Sequence, residues 1–182
     1  MKWREARDLM EADWERLRDV TAGAGPWRSN WTPAHLCVRL YRITQYLERN
    51  HHRLLARLCW QLNQFLTAAD ISAGADLGPG LVIFHPAAVV IHGKAGRNLT
   101  VHGRGGFGGG LSLVDVGAGP GFAVLGDDVT LEMGAMILGP QIVGDRVKVG
   151  PNCTVIQHLP SDTVVMPLDI RVRAESANRP EP

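Results

Sequence analysis

Residues 125–155 decide the fold and read, in groups of six, LGDDVT LEMGAM ILGPQI VGDRVK VGPNCT V. The first residue of every group is aliphatic, and the second residue is often glycine. A six-residue repeat with one aliphatic position is typical of a parallel β-helix, in which three repeats close one triangular coil. The aliphatic side chains are expected to point inward, where each coil buries its neighbour.

The same period extends toward the N terminus. Aliphatic residues recur at Ile71, Leu77, Ile83, Val89, Ala95 and Val101, and the count continues through Phe107 and Leu113. Turn-forming pairs follow several of these positions: Pro79-Gly80, Arg97-Asn98, Gly109-Gly110, Asp127-Asp128 and Pro151-Asn152. No helix-length pattern interrupts residues 71–155, which argues against a doubly wound α/β sheet. The sequence therefore predicts a β-helix over residues 69–165, followed by an extension and tail at residues 166–182.

Residues 1–68 follow a different period and predict a small α-helical segment before the coil. Thr32-Pro33 is typical of a helix N-cap followed by proline at the first helical position. Apolar residues recur three and four apart in three stripes: Trp3, Ala6, Met10, Trp14 and Leu17; Leu36, Leu40, Ile43 and Leu47; Leu55, Leu58, Leu62 and Phe65. The expected fold class is mainly β, a hexapeptide-repeat β-helix preceded by helices.

Composition limits the function and the location of the chain. A formal net charge of +1 argues against nucleic-acid binding through a broad basic field. The first residues contain no apolar signal region, and no apolar run reaches the length of a membrane span, so we expect neither a signal peptide nor a membrane partner. Cys37, Cys59 and Cys153 are scattered and odd in number, which favours free thiols in a reducing cytoplasm.

Asp70 and His85 form the candidate catalytic pair. Asp70 comes one residue before inward Ile71 and His85 two residues after inward Ile83, so both side chains are expected to point outward. Fifteen residues separate them, and neighbouring coils lie about 4.8 Å apart, so the two groups can meet across one step. An imidazole can take a proton from a hydroxyl group, and a carboxylate can fix its tautomer. The alternative, a corner histidine that only caps a turn, stays open.

His92 and His102 raise a metal site as a further alternative. Gamma-class carbonic anhydrases use such a coil with three histidines on zinc, and ligands on a coil should recur near multiples of 18 or cluster tightly. The gaps between His85, His92 and His102 are 7 and 10, so we predict no metal.

The run at residues 103–110, GRGGFGGG, fits either backbone that lies open beside a cofactor or a loop that leaves the coil.

Residues 66–85, LTAADISAGADLGPGLVIFH, resemble the start of the coil in serine O-acetyltransferases, a family of hexapeptide-repeat acyltransferases. That family has an Asp-Ile-His-Pro-Gly-Ala-x-Ile-Gly-x-Gly motif, with its catalytic histidine fifteen residues after the aspartate. The resemblance covers roughly residues 35–165. It implies a left-handed coil in which His85 is the general base and Asp70 orients it.

The same resemblance implies acetyl-CoA as co-substrate, a small hydroxyl-bearing acceptor, and a homotrimer or a dimer of trimers. The family binds CoA in the groove between neighbouring subunits. The positions that match this groove are Gly108, Gly109, Met133, Gly134, Pro151 and Asn152. Backbone amides near the glycine-rich run would hold the thioester oxyanion.

The chain departs from the family where that family places Arg-His-Pro on a loop, because Gly121, Phe122 and Ala123 stand there. The missing arginine would hold the substrate carboxylate, and the missing histidine belongs to a second His–Asp pair. We therefore expect an acetyltransferase that is not specific for L-serine. The segment at residues 90–95 is closer to the sugar- and polysaccharide-locus members of the superfamily. The Asp-Pro of the second pair is replaced near Gly25-Pro26, with Asp19 as a shifted remnant.

Two other functions remain open. The missing second pair also fits a non-catalytic β-helix, a scaffold or partner subunit, and the histidines leave room for a metal hydratase.

Near the C terminus the family's Gly-x-Pro-Ala reads Val165-Met166-Pro167-Leu168, which changes the end of the expected cofactor groove. Arg171 and Arg173 fit either contacts with CoA phosphates or a solvated basic end.

Overall fold

The computed structural model describes residues 1–21 and 32–167, which form three helices followed by a triangular parallel coil. The helices are α1 (Trp3–Val20), α2 (Pro33–Arg49) and α3 (Arg53–Thr67). Thr32 caps α2 by accepting the backbone N–H of His35 at 3.3 Å, and proline follows at the first turn, as the sequence predicts. None of these helices is both long and apolar enough to cross a bilayer.

Three parallel sheets form the faces of the coil. The first face contains β1 (Asp70–Ile71), β4 (Val90–Ile91), β7 (Gly106–Gly108), β10 (Met136–Leu138) and β13 (Thr154–Val155). The second face contains β2 (Asp76–Leu77), β5 (Gly93–Ala95), β8 (Ala123–Leu125) and β11 (Ile142–Val143). The third face contains β3 (Val82–Phe84), β6 (Thr100–His102), β9 (Thr130–Leu131), β12 (Lys148–Val149) and β14 (Val164–Val165).

The core is the stack of inward aliphatic side chains that the repeat predicts. Over residues 125–155 every predicted inward residue is buried, with at most 4% of its surface exposed: Leu125, Leu131, Ile137, Val143, Val149 and Val155. Each such side chain contributes about 1.5–3 kcal/mol by leaving water. The prediction of a parallel β-helix is confirmed, because the sheets run in parallel and neighbouring coils pair strand on strand.

The count of six is wrong at one corner, which we call the bulged corner (residues 84–90). The structure pairs Ile91, and not Val89, with Ile71 and Phe107, so the step from Ile83 to Ile91 takes eight residues. The next step, from Ile91 to Ala95, takes only four. Because the extra pair of residues and the missing pair cancel, the count returns to phase at Ala95 and the sequence pattern hides both changes.

Residues 109–122 leave the coil between β7 and β8 as a loop. Leu113, which the count of six places in the core, is 84% exposed in this loop. The glycine-rich run is divided, because Gly106–Gly108 form β7 while Gly109 and Gly110 begin the loop. The structure therefore shows a loop that leaves the coil at Gly109 and Gly110 and a buried strand at Gly106–Gly108, while a contact of the run with a cofactor stays a prediction.

Arg42 joins the helical segment to the coil. Its guanidinium group is fully buried and donates hydrogen bonds to the Asp13 carboxylate at 2.7 and 3.0 Å. It also donates to the carbonyl oxygens of Leu77 at 2.7 Å and Gly78 at 2.6 Å, while Asp13 accepts the N–H of Leu81 at 2.7 Å. The buried charges of Asp13 and Arg42 are thus satisfied by each other and by backbone groups of the first coil, as buried charges must be.

The third apolar stripe of the sequence points away from the coil. On α3, Leu55, Leu58, Leu62 and Phe65 are 46–86% exposed. The side of α3 that faces the protein is formed instead by Ala56, Asn63 and Thr67, whose side chains are buried. A connected apolar face of this size marks a surface that another molecule can cover.

Candidate active site

His85 stands at the bulged corner, on the rim of a cleft of about 750 Å³ between the coil and the helices. Its backbone is left-handed, with φ of 53°, and its side chain is exposed. The walls are mainly apolar and include Leu17, Phe65, Leu66 and Phe84. A cleft of this volume is in the range of small-molecule sites.

The predicted contact between Asp70 and His85 is not formed within this chain. Asp70 Oδ1 accepts a hydrogen bond from Trp60 Nε1 at 3.0 Å, and Asp70 Oδ2 lies 3.7 Å from His92 Nε2. In the part of the chain that the structure describes, His85 has no hydrogen bond or ion pair. The bulged corner explains the difference, because Asp70 pairs with Val90, twenty residues later, and His92 follows two residues after that.

His92 lies between Asp70 and Phe122. The His92 and Phe122 rings are stacked, with centroids 6.0 Å apart and an angle of 25° between their planes. The side chains of His92 and Asp70 are 32% and 31% exposed, so solvent and small molecules can reach both. From the sequence, His92 is a candidate metal ligand only. The short step at residues 91–95, which fixes its position, is hidden in the count of six.

The loop at residues 109–122 fixes Phe122 and leaves no room for an arginine beside it. Gly121 is buried with φ of 83°, and its N–H donates to the carbonyl oxygen of Val114 at 2.9 Å. A Cβ atom on Gly121 would approach the carbonyl oxygen of Ser112 to 2.8 Å. Asp115 closes the loop by accepting the N–H groups of residues 117 and 119, and these hydrogen bonds lower the pKa of Asp115.

The predicted cofactor residues divide between two edges of the coil. Met133, Gly134, Pro151 and Asn152 lie on the edge between the third and first faces, in line with His85. Hydrogen bonds connect this edge from coil to coil: the Gly134 N–H donates to the Gly103 carbonyl at 3.1 Å, and the Asn152 N–H to the Met133 carbonyl at 2.9 Å. We call this column the His85 edge.

Gly108 and Gly109 lie on the opposite border of the first face, between the first and second faces. A Cβ atom on Gly108 would lie 3.9 Å from Cβ of His92, and one on Gly109 would lie 3.3 Å from the Phe122 ring. We call this border the His92 edge. The first face, which carries Asp70, therefore has a histidine at each side.

A second imidazole–carboxylate pair lies on the third face. His102 Nε2 is 3.7 Å from Glu132 Oε2, and the other oxygen of Glu132 is 2.8 Å from Lys148 Nζ. The ring of Phe84 stacks on His102 with centroids 5.0 Å apart. His92 and His102 thus lie in different places, and residues 1–21 and 32–167 contain no group of three histidine, cysteine or acidic side chains that could hold a metal ion.

Several predicted features lie outside the described residues: Gly25-Pro26, Leu168, Arg171 and Arg173. Val165, Met166 and Pro167 are described. Val165 ends the last coil, where its carbonyl oxygen accepts the N–H of Gly150 at 2.7 Å.

Comparison with known proteins supports the resemblance over most of the chain. No protein-family model matches it. Over 130 residues, 69% of the chain, it is 33% identical to a serine acetyltransferase of Helicobacter pylori, of which it covers 72%.

Two solved structures are similar in fold. The serine acetyltransferase of Neisseria gonorrhoeae in complex with serine has a TM-score of 0.79 at 22% identity, with 91% of this chain and 68% of that chain covered. A serine acetyltransferase in complex with CoA has a TM-score of 0.81 at 20% identity, with coverages of 93% and 70%. These likenesses confirm the predicted left-handed β-helix with a helical segment before it.

Proposed function

Because the chain belongs to the serine acetyltransferase family, we propose that it transfers the acetyl group of acetyl-CoA to the hydroxyl group of a small acceptor. The acceptor oxygen attacks the thioester carbonyl, the C–S bond breaks, and an acetyl ester and CoA are formed. The H. pylori relative is named a serine acetyltransferase, and one solved neighbour is a serine acetyltransferase in complex with CoA. The observation that carries the proposal is the exposed His85 on an apolar cleft, in line with a column of open corners.

His85 is the proposed general base. It matches the family's catalytic histidine, fifteen residues after Asp70, and no group in the described chain occupies its ring nitrogens. It would take the hydroxyl proton during attack and return it to the CoA thiolate as the tetrahedral intermediate collapses. The left-handed corner turns the ring outward, so that it can meet a thioester lying along the edge.

The His85 edge is the proposed path of the pantetheine arm. The corners at Gly134 and Asn152 are left-handed, with φ of 72° and 56°, and the Met133 side chain is 49% exposed. These features leave backbone and one flexible apolar side chain beside a bound chain. A homotrimer would allow the His92 edge of one subunit, with Gly108 and Gly109, to face the His85 edge of the next. Both groups of predicted cofactor residues would then line one groove.

The acceptor is proposed to be a hydroxyl compound other than L-serine. Gly121 and Phe122 stand where the family has the arginine and histidine of its substrate loop. The left-handed, buried conformation of Gly121 excludes a long cationic side chain at this position. A site without a bidentate partner for a carboxylate loses much of its preference for an amino acid.

A cytoplasmic location is proposed because the three cysteine side chains are free thiols. Cys37, Cys59 and Cys153 are all free, and two of them are buried. Free thiols of this kind are typical of reducing compartments.

The decisive experiment measures CoA release by the purified chain with acetyl-CoA and a panel of hydroxyl compounds that includes L-serine. His85→Ala should lower kcat/KM by about 10²–10⁴-fold, which is the usual contribution of a general base. His52→Ala, at an exposed position before α3, is the matched control and should behave as the unaltered chain. Full activity of His85→Ala would rule out the assigned role.

The non-catalytic scaffold is the second candidate, and the missing Arg-His loop favours it. Calorimetry with acetyl-CoA separates the two functions. Saturable binding together with transfer supports the enzyme, whereas absence of both supports the scaffold.

A further inference from the structure

We propose that His92, on the edge that would face the His85 edge of the next subunit in a homotrimer, is a second functional imidazole of the active site, which is oriented by Asp70 and binds the acceptor hydroxyl compound. This role rests on the proposed acetyl transfer and deepens it, because it concerns how the acceptor is held. The family resemblance assigns no role to the position of His92.

The backbone holds His92 in one place. The step from Ile91 to Ala95 has two residues fewer than a regular step, so the chain turns directly after His92 into β5. Gly93 makes this turn with φ of 140°, and a Cβ atom there would approach the Ala123 carbonyl oxygen to 2.5 Å. The tight stacking of Gly93 on β8 leaves the imidazole little freedom of position.

Side chains on two sides then fix the ring. Trp60 is a donor only, so its bond to Asp70 Oδ1 holds the carboxylate and leaves Oδ2 turned toward His92 Nε2. Phe122 stacks on the ring face. The separation of 3.7 Å between Oδ2 and Nε2 is longer than a hydrogen bond, and the proposal requires it to shorten when the acceptor binds, as contacts in active sites often do.

This arrangement decides which nitrogen is available. A carboxylate at Nε2 favours the tautomer with hydrogen on Nε2, which leaves the lone pair of Nδ1 as an acceptor. Within residues 1–21 and 32–167, Nδ1 of His92 has no hydrogen-bond partner. It can therefore accept the hydrogen of an acceptor hydroxyl group.

Phe122 relates His92 to the family's missing histidine. Phe122 occupies the histidine position of the family's substrate loop, and its ring is the one that stacks on His92. The coil thus supplies an imidazole beside the place where the family's loop would supply one. The second imidazole is displaced rather than lost, which argues against the scaffold.

The surroundings of His92 indicate the class of acceptor. Its two side-chain neighbours are a carboxylate and a phenyl ring, and neither attracts an anion. An aromatic face beside a hydrogen-bond acceptor suits a neutral polyhydroxylated compound, such as a sugar, which has both hydroxyl groups and an apolar C–H face. The site is expected to prefer such compounds to L-serine.

The test compares steady-state kinetics of the full chain and of His92→Ala and His92→Asn, with acetyl-CoA and a panel of neutral sugars, polyols and L-serine. His92→Ala should raise KM for the preferred acceptor about tenfold, the value of one hydrogen bond, and leave KM for acetyl-CoA unchanged. His92→Asn, whose amide oxygen lies near the position of Nδ1, should restore part of the loss. Acetyl-CoA hydrolysis without acceptor should depend on His85 and not on His92.

The outcomes separate the two proposals. An unchanged acceptor KM in both folded His92 variants, with transfer by the unaltered chain intact, overturns the role of His92 and leaves the acetyltransferase standing. A loss of acetyl-CoA hydrolysis in His92→Asn would make His92 the base instead and also overturns this inference. Failure of the unaltered chain to bind or use acetyl-CoA overturns the proposed function and this inference with it.

Discussion

At the residue scale, the carboxylate of Asp70 connects the helical segment to His92 in the candidate active site. Its two oxygens contact Trp60 of α3 and His92 of the coil, so a shift of α3 moves the carboxylate that orients the imidazole. The helices therefore do more than cover one end of the coil. They determine the position of a group in the candidate site.

Cys37 gives a prediction at the same scale. Burial raises the pKa of this thiol to about 11, above its ordinary value of 9.0. The folded chain binds this proton more tightly than the unfolded chain, so the contribution is fully present below pH 9 and is lost as the pH rises toward 11. Urea denaturation at pH 8 and pH 10 should show lower stability at pH 10.

Cys37→Ala is the control for that experiment. It should make the stability less dependent on pH between 8 and 10, because the titrating thiol is gone. Tyr41 contributes in the same direction at higher pH, since burial also raises the pKa of its hydroxyl group. A pH dependence that is identical with and without the thiol would contradict the assignment to Cys37.

At the element scale, the bulged corner depends on the glycine stacked against it. A Cβ atom on Gly103 would lie 2.6 Å from the carbonyl oxygen of His85 and 3.1 Å from its Cβ. Gly103→Ala should therefore cost about 1–3 kcal/mol of unfolding free energy by overpacking and should displace His85. The midpoint temperature of thermal unfolding and the kcat of acetyl transfer should both be lower in this variant.

Gly74→Ala is the matched control for the corner. The nearest atom to a Cβ at Gly74 is Ser72 Oγ at 3.8 Å, which is ordinary contact. This variant should keep both stability and activity. Equal behaviour of the two alanine variants would show that the corner does not depend on close stacking.

The bulged corner shows which part of the fold the sequence pattern does not predict. The repeat predicts the coil and its inward residues over 125–155, because each position there follows the same local rule. It does not predict Ile91 as the strand residue, because an insertion and a deletion of equal length cancel in the count. The choice of His92 rather than His85 beside Asp70 follows from that cancellation, and it requires the three-dimensional register.

The helices show a different limit. Apolar spacing predicts that α3 forms, but it does not state which side the rest of the protein covers. The covered side carries Ala56, Asn63 and Thr67, and the Asn63 side-chain amide there donates a hydrogen bond to the carbonyl oxygen of Cys37 in α2. The larger leucines remain outside, available to another subunit.

At the scale of the whole molecule, the exposed face of α3 predicts the assembly. The chain should sediment as a trimer or as a dimer of trimers, and the α3 face should be the contact between trimers. Replacing Leu58 and Leu62 together by glutamate should convert a hexamer to a trimer while leaving acetyl-CoA binding intact. Sedimentation of the unaltered chain as a monomer would contradict the assembly.

Arg42 gives the second prediction for the whole molecule. Arg42→Leu leaves the Asp13 carboxylate buried without its partner and two coil carbonyls without a donor. Loss of one partner of a buried ion pair costs about 3–5 kcal/mol, so the denaturation midpoint should fall strongly. Arg39→Leu, at an exposed position on the same helix, should change stability little.

The hydrogen-bond partners of Arg42 and Asp13 also determine the order in which parts of the chain can fold during synthesis. Asp13 and Arg42 leave the exit tunnel before Leu77, Gly78 and Leu81, whose backbone groups complete their hydrogen bonds. The nascent helices cannot dehydrate this ion pair until the first coil has emerged. The helices and the first coil must therefore fold together during translation. The remaining coils can then pack, one after another, onto the folded first coil.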